Sequence, residues 1–332
     1  MKKLRFGIIG CSRIAESSVI PSILNSKYAE LEIIGSRTEK KSKQFANKFK
    51  CKNFGNYDDV LESDNVDAVY VSLPVGLHKE WTIKAAKSGK HILCEKSISD
   101  TLDSAKNMVN ACKKNNVRLM EGLMFRFHPQ INYVLKQIED KLLENIYSFT
   151  GFYGFPNLSK KDIRFKKELG GGVLNDAGCY PICASRILFD EEPLSVLCKM
   201  NIDHDSNVDI QSSLFLEFPD SKIGHISVGY DLSYLGTYEI WAQNASIKLW
   251  RAYNISSNQK AKISITKNME TTNIKIPISN HFLTMIDSFS SEILNIKKTN
   301  FNWEDDIINQ AKVMQAARIS NKDERLVKIE EV

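Results

Sequence analysis

Lys96, Asp176 and Tyr180 are residues of this 332-residue chain whose types and surroundings suggest chemistry on a carbonyl group. Lys96 follows the apolar run HILC, and Asp176 and Tyr180 follow three successive glycines at 170–172. Reduction of a carbonyl by hydride builds negative charge on oxygen, so it needs a cation there and an acid that delivers a proton. The Lys96 ammonium would supply the charge, and the Tyr180 hydroxyl would supply the proton. Asp176 would hold Lys96 or a substrate hydroxyl.

Each of these three residues also has a structural interpretation. Lys96 would then be a surface lysine after a strand, and Tyr180 a half-buried core tyrosine. Asp176 would be the N-cap of the following helix. If residues 176–180 begin a helix, Asp176 and Tyr180 share one face. The catalytic interpretation is favoured for Lys96 and Tyr180, whereas both interpretations of Asp176 stay open.

The segment GIIGCSRIA places a tight turn directly after the first apolar run. Gly10, Ser12 and Ala15 occupy the three small positions of G-x-G-x-x-G/A, the fingerprint of dinucleotide binding. Ser12 departs from the usual glycine, and its Cβ would crowd a pyrophosphate to which its hydroxyl can also donate. The backbone N–H groups that would face the pyrophosphate belong to Cys11, Ser12, Arg13 and Ile14.

The residues after the second strand predict which dinucleotide binds. Enzymes that use NAD usually carry Asp or Glu at this place, where the carboxylate accepts from the ribose hydroxyls. This chain carries Ser36 and Arg37, with Lys41 four residues beyond Arg37. A hydroxyl and a guanidinium suit the 2′-phosphate of NADP. We therefore expect NADP(H) to be preferred, with NAD(H) as the alternative.

Further motifs carry a resemblance to a known family. They are LPVGLH at 73–78, CEKS at 94–97, MFRFHPQ at 124–130 and GGGVLNDAGCY at 170–180. Together with GIIGCSRIA, they resemble the glucose–fructose oxidoreductase/inositol dehydrogenase (Gfo/Idh/MocA) family over most of residues 4–190. The family's E-K-P motif appears with Ser97 in place of proline, and its D-x-G-x-H/Y motif ends in Tyr180. That tyrosine is similar to the branch of NADP-using sugar ketoreductases and of dihydrodiol and xylose dehydrogenases.

The resemblance implies a Rossmann domain and an α/β domain whose sheet covers the nicotinamide, with hydride moving between NAD(P) and a sugar or polyol. It implies Lys96, Tyr180 and Asp176 as catalytic residues. Besides the residues already named, the cofactor-binding set would contain Leu73, Pro74, His78, Glu95, Lys96 and Arg126. His78 and His128 each also have a structural interpretation, as a helix-start residue and as an anchor of the turn before Pro129.

Arg164 lies in a basic stretch with Lys160, Lys161, Lys166 and Lys167. Runs of charge are usually solvated loops. The functional alternative is a clamp for a phosphorylated or nucleotide-linked sugar, in which Arg164, Asp176 and Tyr180 contact the substrate.

Three functions are compatible with these residues. The leading hypothesis is an NADP(H)-dependent oxidoreductase that acts on a sugar or nucleotide-sugar carbonyl. The second is an NAD(P)-dependent inositol or polyol dehydrogenase that works oxidatively, since an acid for reduction is a base for oxidation. The third is a non-catalytic protein that senses dinucleotides, because a fold does not determine a function. A sensor would not need both Lys96 and Tyr180.

The elements that must position these residues alternate in type over the first part of the chain. Strands followed by helices predict βαβ units and a doubly wound parallel sheet, an α/β class. The predicted strands are Leu4–Gly10, Leu31–Gly35, Asp67–Leu73, His91–Cys94 and Arg118–Met120. The predicted helices are Ile14–Asn25, Glu39–Phe49, His78–Ser88 and Thr101–Asn115. We expect this Rossmann domain to span residues 1–122.

Residues 123–332 predict an α+β domain with a large, open, mostly antiparallel sheet, because several of its strands alternate polar and apolar residues. This domain would bind substrate and mediate oligomerisation. Its predicted strands are Ile146–Phe155, Leu194–Asn201, Ile210–Phe218, Ile223–Tyr230, Thr237–Ala242 and Ser246–Arg251, with edge strands and loops in Asn254–Asn280. Its predicted helices are Gln130–Asp140, Ala177–Phe189, Phe282–Ile296 and Glu304–Ser320. Since an open sheet must be covered, we expect a homodimer or homotetramer formed through it.

Composition excludes several classes of protein. Hydrophobic residues make up 42% of the chain, which excludes a largely disordered protein. The net charge of +5 comes without a basic stripe, so a nucleic-acid partner is not expected. Seven cysteines without a CxxC pair indicate reduced thiols rather than a metal site. The apolar run near the N-terminus is broken by charges and no stretch is long enough to cross a membrane, so we expect a cytoplasmic protein.

Overall fold

The structure, a computed structural model, describes residues 2–156, 158–297 and 301–332. These residues divide into two compact units. The first unit contains Met1–Leu123 and Phe282–Ile308, and the second contains Met124–His281 and Asn309–Val332.

The first unit is built on a six-stranded sheet in which every paired strand is parallel. Its strands are β1 (Leu4–Ile9), β2 (Ala29–Gly35), β3 (Asn53–Gly55), β4 (Ala68–Val71), β5 (His91–Cys94) and β6 (Leu119–Glu121). The strand order is β3-β2-β1-β4-β5-β6, so the chain changes direction across the sheet between β1 and β4. Ligands of doubly wound folds bind at such a switch point, beyond the carboxyl ends of the strands.

The strands β1, β4 and β5 are buried almost throughout, as expected for a parallel sheet covered on both faces. The α-helices between the strands are α1 (Ile20–Asn25), α2 (Glu39–Phe49), α3 (Tyr57–Glu62), α4 (Val75–Lys87) and α5 (Leu102–Lys114). A π-helical turn, Ala15–Val19, precedes α1.

The second unit contains a nine-stranded sheet of order β14-β13-β12-β11-β7-β10-β9-β8-β15. All its neighbouring strands pair antiparallel except β7 and β10. The larger strands are β7 (Ile146–Phe155), β8 (Ser195–Ile202), β9 (Asp209–Glu217), β10 (Ile223–Tyr230) and β11 (Leu235–Ala242). The others are β12 (Ser246–Leu249), β13 (Ala261–Lys267), β14 (Glu270–Ile276) and β15 (Val327–Lys328).

The helices of the remaining chain are α6 (Pro129–Glu139), α7 (Cys179–Phe189), α8 (His281–Ile293) and α9 (Trp303–Asp323). A π-helical turn, Leu174–Gly178, leads directly into α7. Side chains such as Phe149, Leu216 and Ile240 are buried on one face of the sheet. Their neighbours along the strands face the other side, which gives the alternation that the sequence predicted.

The structure confirms the predicted fold class, a parallel Rossmann-like sheet and a mostly antiparallel one. Among the strands and α-helices of the described residues, the sequence missed three short ones, β3, α3 and β15. Each has six residues or fewer, too few for a periodic pattern to emerge. The segment 254–280 contains β13 and the edge strand β14, as predicted.

Candidate active site

The turn after β1 requires a glycine at position 10. Gly10 has φ of 107°, a region that side chains with a Cβ rarely adopt. A Cβ there would lie 2.6 Å from the backbone oxygen of Ser72, at the end of β4. Gly10 also donates its N–H to Gly35 O at 3.1 Å. The turn therefore lies in close contact with the ends of β2 and β4. In a dinucleotide site this is the place where the backbone must approach the pyrophosphate closely.

Ser12 uses its hydroxyl within this turn. Its Oγ forms a hydrogen bond with the Ser72 hydroxyl and accepts the N–H of Ala15 at 3.1 Å. Its backbone oxygen accepts the N–H of Glu16, also at 3.1 Å. The serine thus stabilises the helix start in a way that glycine could not. The side chains of Arg13 and Ile14 lie at least partly in solvent.

The loops after β1 and β2 interact through Cys11. Its buried thiol lies 3.8 Å from Gly35 O. Burial raises the pKa of Cys11 to about 11, although the Ser36 hydroxyl and the Lys41 ammonium act in the opposite direction. Ser36 is buried, whereas Arg37 and Lys41 are exposed. The structure therefore gathers the predicted 2′-phosphate residues beside the fingerprint turn.

His78 joins the loop after β4 to the loop after β5. Its Nε2 lies 2.8 Å from Leu73 O, and its Nδ1 lies 2.9 Å from Ser97 O and 3.2 Å from Ile98 O. A neutral imidazole has one N–H and donates to one side at a time. Burial lowers the pKa of His78, and the carbonyl contacts oppose that effect. The histidine thus contacts backbone oxygens of both loops. One of these oxygens belongs to Ser97, the residue that follows Lys96.

The loop that carries Lys96 is fixed at further points. Glu95 is buried and accepts the hydroxyl of Tyr70 at 2.5 Å. Burial raises the pKa of Glu95, and Tyr70 and Lys96 oppose that effect. Glu121 accepts the N–H of Ile98 at 2.8 Å. The peptide bond between Lys96 and Ser97 is cis. The hydrogen bonds of Glu95 and Glu121 hold this loop at the carboxyl end of β5.

The residues present fit a dinucleotide. The four loops that follow β1, β2, β4 and β5 leave the same edge of one parallel sheet, and every cofactor residue predicted in this unit lies in one of these loops or in the first turn of the helix that follows it. These are Gly10, Cys11, Ser12, Arg13, Ile14, Ser36, Arg37, Lys41, Leu73, Pro74, His78, Glu95 and Lys96. The close approach of Gly10 to Ser72 is the feature that a pyrophosphate cradle needs.

In the second unit, Tyr180 lies on α7 within a group of aromatic rings. Its ring centroid is 5.2 Å from that of Tyr153 and 5.8 Å from those of Phe125 and Tyr253. The Tyr180 hydroxyl donates to the Met124 sulfur at 3.6 Å. Apolar side chains of the MFRFHPQ segment thus help to hold the ring of the predicted acid.

Arg126 and His128 of the segment MFRFHPQ each contact another residue of the second unit. Nη1 of Arg126 lies 3.8 Å from the sulfur of Cys183. His128 caps α6, because its Nδ1 accepts the N–H of Gln130 at 3.2 Å. The structural interpretation of His128, an anchor of the turn before Pro129, therefore holds.

Asp176 lies inside the π-helical turn that precedes α7, and it does not cap a helix. The capping positions are Val173 and Gly178, neither of which has a side-chain cap bond. The N-cap interpretation is therefore wrong. The carboxylate instead accepts from Arg164, whose Nε lies 2.5 Å from Asp176 Oδ2. Arg164 is engaged with carboxylates rather than exposed in a solvated loop.

Asp209 was not predicted from the sequence. Its carboxylate accepts the N–H of Leu174 at 2.6 Å and the hydroxyl of Ser212 at 3.0 Å. A Cβ on Gly172 would lie 2.1 Å from its Oδ1, so the glycine leaves room for this contact. Asp209 begins β9 and carries no motif, and only the tertiary structure reveals that it holds the loop before Asp176.

Two further findings concern metals and membranes. The seven cysteines are free thiols, and within the described ranges no three His, Cys, Asp or Glu side chains are grouped to hold a metal ion. None of the helices that the structure describes has the length and apolar character needed to span a bilayer.

Two family models match the chain. Residues 4–123 match the model GFO_IDH_MocA, described as an oxidoreductase family with an NAD-binding Rossmann fold. Residues 131–248 match the model of the GFO/IDH/MocA C-terminal domain. The motifs GIIGCSRIA, LPVGLH and CEKS fall within the first range and GGGVLNDAGCY falls within the second, so the predicted resemblance to this family is confirmed.

Similar proteins include several sugar oxidoreductases. A dTDP-3,4-didehydro-2,6-dideoxy-alpha-D-glucose 3-reductase of Saccharopolyspora spinosa is 30% identical, over 88% of each chain. A D-xylose 1-dehydrogenase (NADP(+)) of Haloferax volcanii is 31% identical, over 79% of this chain and 80% of that protein. The crystal structure of a 3-ketoreductase from Actinomadura kijaniata with NADP and TDP-benzene superimposes with a TM-score of 0.90, at 27% identity, over 96% of this chain and 98% of that one.

Proposed function

Because the chain belongs to the Gfo/Idh/MocA family of oxidoreductases, we propose that it transfers hydride between NADP(H) and a carbonyl or hydroxyl group of a sugar or nucleotide-linked sugar. The observation that carries this proposal is the position of Lys96. It leaves the carboxyl end of β5, on the sheet edge that also holds the Gly10 turn and Ser36. The 3-reductase and the 3-ketoreductase named above support the carbonyl of a nucleotide-linked sugar as the substrate class.

The chain's own residues provide the polar part of the reaction. When bound, the reduced nicotinamide supplies hydride to the carbonyl carbon. The Lys96 ammonium stabilises the negative charge that grows on the carbonyl oxygen. The Tyr180 hydroxyl gives that oxygen its proton, and in oxidation the same group takes the proton back. Asp176 accepts a hydrogen bond from a substrate hydroxyl and so orients the sugar.

Cofactor preference follows from the loop after β2. Ser36 is buried beside Cys11, while Arg37 and Lys41 present positive charge to solvent. A 2′-phosphate would receive charge-assisted hydrogen bonds from Arg37 and a hydrogen bond from Ser36. NADH, which lacks that phosphate, would gain little from either residue. Leu73, Pro74 and Arg126 complete the proposed cofactor set.

We also propose roles for the two parts of the chain. Residues 1–122 bind the dinucleotide, and residues 123–332 bind the sugar and form a homodimer or homotetramer through the open sheet. The free thiols suit a reducing compartment, so we place the protein in the cytoplasm.

An oxidative reaction on a polyol or aldose is the second candidate, which the similarity to the xylose dehydrogenase favours. The same three residues would serve it. A dinucleotide sensor is the remaining alternative, and it differs because it would bind NADPH without turning over any sugar.

The first experiment compares thermal melts of the purified protein with NADPH, with NADH and with neither. Ligand at 100 times its Kd stabilises a protein by about 2.7 kcal/mol, so the expected result is a shift of several degrees with NADPH and little with NADH. An equal or larger shift with NADH would contradict the NADP assignment and favour the polyol dehydrogenase.

The second experiment follows the nicotinamide absorbance with three probes: a dTDP-linked 3-keto sugar with NADPH, and D-xylose and myo-inositol with NADP⁺. Lys96→Ala is expected to abolish turnover and to leave NADPH affinity within a few-fold. Lys87→Ala, at an exposed position of α4, is the matched control and should change neither. Unchanged turnover in Lys96→Ala would refute the assignment.

A further inference from the structure

Arg164 lies between two carboxylates of the second unit. Its Nε is 2.5 Å from Asp176 Oδ2, and its Nη1 is 3.2 Å from Asp162 Oδ1. The three side chains are 29%, 16% and 17% exposed, in the order Arg164, Asp176, Asp162. An ion pair that is mostly withdrawn from solvent is screened less than a surface pair and is better able to fix a side chain.

The backbone of Arg164 is tied to the same loop as its side chain. Arg164 O accepts the N–H of Gly172 at 3.0 Å. A Cβ on Gly171 would lie 2.5 Å from that oxygen, so only glycine permits this approach. Asp176 follows the glycines by four residues. Arg164 therefore holds the loop through its carbonyl group and the carboxylate of Asp176 through its guanidinium.

The charges at this place favour the protonated guanidinium of Arg164. Burial alone would lower the pKa of Arg164, but Asp176 and Asp162 outweigh it and raise that pKa. A guanidinium also binds carboxylate through directed N–H groups, which restricts the orientation of the partner. A carboxylate held in this manner presents its oxygens in a fixed orientation, in which they can accept hydrogen bonds.

We propose that Arg164 is a positioning residue that orients the carboxylate of Asp176 toward a hydroxyl group of the sugar. The inference rests on the proposed function, in which Asp176 contacts substrate and Tyr180 is the acid. It also gives Arg164 a role different from that of a phosphate clamp, because its Nε and Nη1 are directed at the carboxylates of Asp176 and Asp162.

The test is a double-mutant cycle with Arg164→Gln, Asp176→Asn and the double variant. It uses whichever of the three sugar probes the wild-type protein turns over. Arg164→Gln is expected to lower kcat/KM by 10- to 100-fold, mainly through kcat, and to change NADPH affinity by less than two-fold. In the Asp176→Asn background, Arg164→Gln should lower kcat/KM by less than two-fold, because the carboxylate through which Arg164 acts is already absent.

Two further variants separate positioning from a structural role. Arg164→Lys keeps the charge and is expected to recover part of the lost kcat. Lys167→Gln, on the neighbouring 3-10 turn Lys167–Leu169, removes an exposed charge and should behave as wild type. If the losses of kcat/KM from the two single changes are independent in the double variant, the proposal is overturned. A rise of KM alone for the dTDP-linked sugar would also overturn it and would favour a phosphate clamp.

The same cycle, repeated by urea unfolding on the wild-type protein, Arg164→Gln, Asp176→Asn and the double variant, distinguishes a failure of the proposed function from a failure of the contact between Arg164 and Asp176. If the wild-type protein turns over none of the sugars, the proposed function fails. The urea cycle then still decides whether Arg164 holds Asp176. Coupling in stability between positions 164 and 176 is expected, and independent effects would refute the contact itself.

Discussion

At the scale of single residues, Tyr180 differs from the tyrosines around it in what its hydroxyl contacts. The Tyr180 hydroxyl donates to the sulfur of Met124, a weak acceptor. The hydroxyl of the neighbouring Tyr253 donates to Thr237 O at 3.4 Å. The two rings share one aromatic cluster, so they allow a comparison in which only the position of the hydroxyl differs.

We predict that Tyr180→Phe lowers kcat by 10²- to 10⁴-fold, the usual contribution of a general acid. The ring and its packing remain, so the melting temperature and NADPH affinity should change little. Tyr253→Phe removes a hydroxyl from the same cluster and should retain most of the activity. Steady-state kinetics on both variants checks this. Comparable activity losses in both would mean that cluster packing, rather than the Tyr180 proton, limits the reaction.

The sequence predicted the positions of the candidate site residues better than their contacts. Gly10 and Lys96 could be found because each stands where a strand ends within a motif. The ion pair of Arg164 with Asp176 could not be found, because a 3-10 turn and a glycine loop separate the two residues and neither has a regular period. Asp209 gave no signal because it belongs to no motif and its partner Leu174 is distant in the sequence.

At the scale of elements, the loops after β4 and β5 depend on His78. Its ring faces three backbone oxygens, which belong to Leu73, Ser97 and Ile98. Without the imidazole, the carbonyl group that accepts its N–H would lose this donor. Leaving a buried polar group unsatisfied costs about 1–3 kcal/mol.

His78→Leu is therefore expected to lower the free energy of unfolding by roughly 1–3 kcal/mol and to reduce kcat, since the loop that carries Lys96 is loosened. Urea unfolding followed by kinetics measures both effects. Lys79→Gln, at the exposed neighbouring position of α4, is the control. A fully stable His78→Leu protein would show that the ring is not what joins the two loops.

Elements of regular period were predicted well, and irregular ones were not. The helix Glu39–Phe49 was predicted to the residue because its apolar side chains recur at helical spacing. In the structure, Lys50 ends this helix in the left-handed conformation. The helix predicted over Ile14–Asn25 instead begins with a π-helical turn. Such a turn changes hydrogen-bond partners without changing the apolar pattern, so sequence periodicity cannot reveal it.

At the scale of the whole molecule, buried histidines connect stability to pH. His128 and His281 lie in the second unit with ring centroids 5.8 Å apart. Burial lowers the pKa of each from 6.5 to about 4, and for His281 the neighbouring His128 adds to the effect. The unfolded chain therefore binds protons on these residues before the folded chain does. Their contribution to stability is complete above pH 6.5 and is lost as the pH falls toward 4.

We predict that His128→Asn flattens the decline of stability below pH 6.5, which is the ordinary pKa of that side chain. Asparagine is a good N-cap, so the cap of α6 is retained while the titrating group is removed. Each pKa unit corresponds to about 1.4 kcal/mol, so the expected change is a few kcal/mol near pH 4. His204→Asn, at a fully exposed position, should leave the slope unchanged. Urea midpoints measured across the pH range test this, and an unaltered slope in His128→Asn would contradict it.

The outer face of the nine-stranded sheet carries apolar side chains that the chain itself leaves in solvent. Trp241 is 60% exposed and Phe152 is 37% exposed. The strand registers place both on the same face as Leu197 and Leu235. Tyr147 packs edge-on against Trp241 at 5.9 Å. Apolar side chains grouped on one sheet face, as here, are typical of a surface that a second subunit covers.

Trp241→Glu is therefore expected to weaken self-association, because assembly would then bury an unpaired carboxylate. Light scattering should report a dimer or tetramer for the wild-type protein and a shift toward monomer for the variant. Met269→Glu places the same charge on an apolar residue that is 92% exposed in the turn between β13 and β14, and it should assemble as wild type. A wild-type protein that is monomeric at working concentration would refute assembly through this face. If both variants dissociate, added charge is responsible, and the assembling surface lies elsewhere.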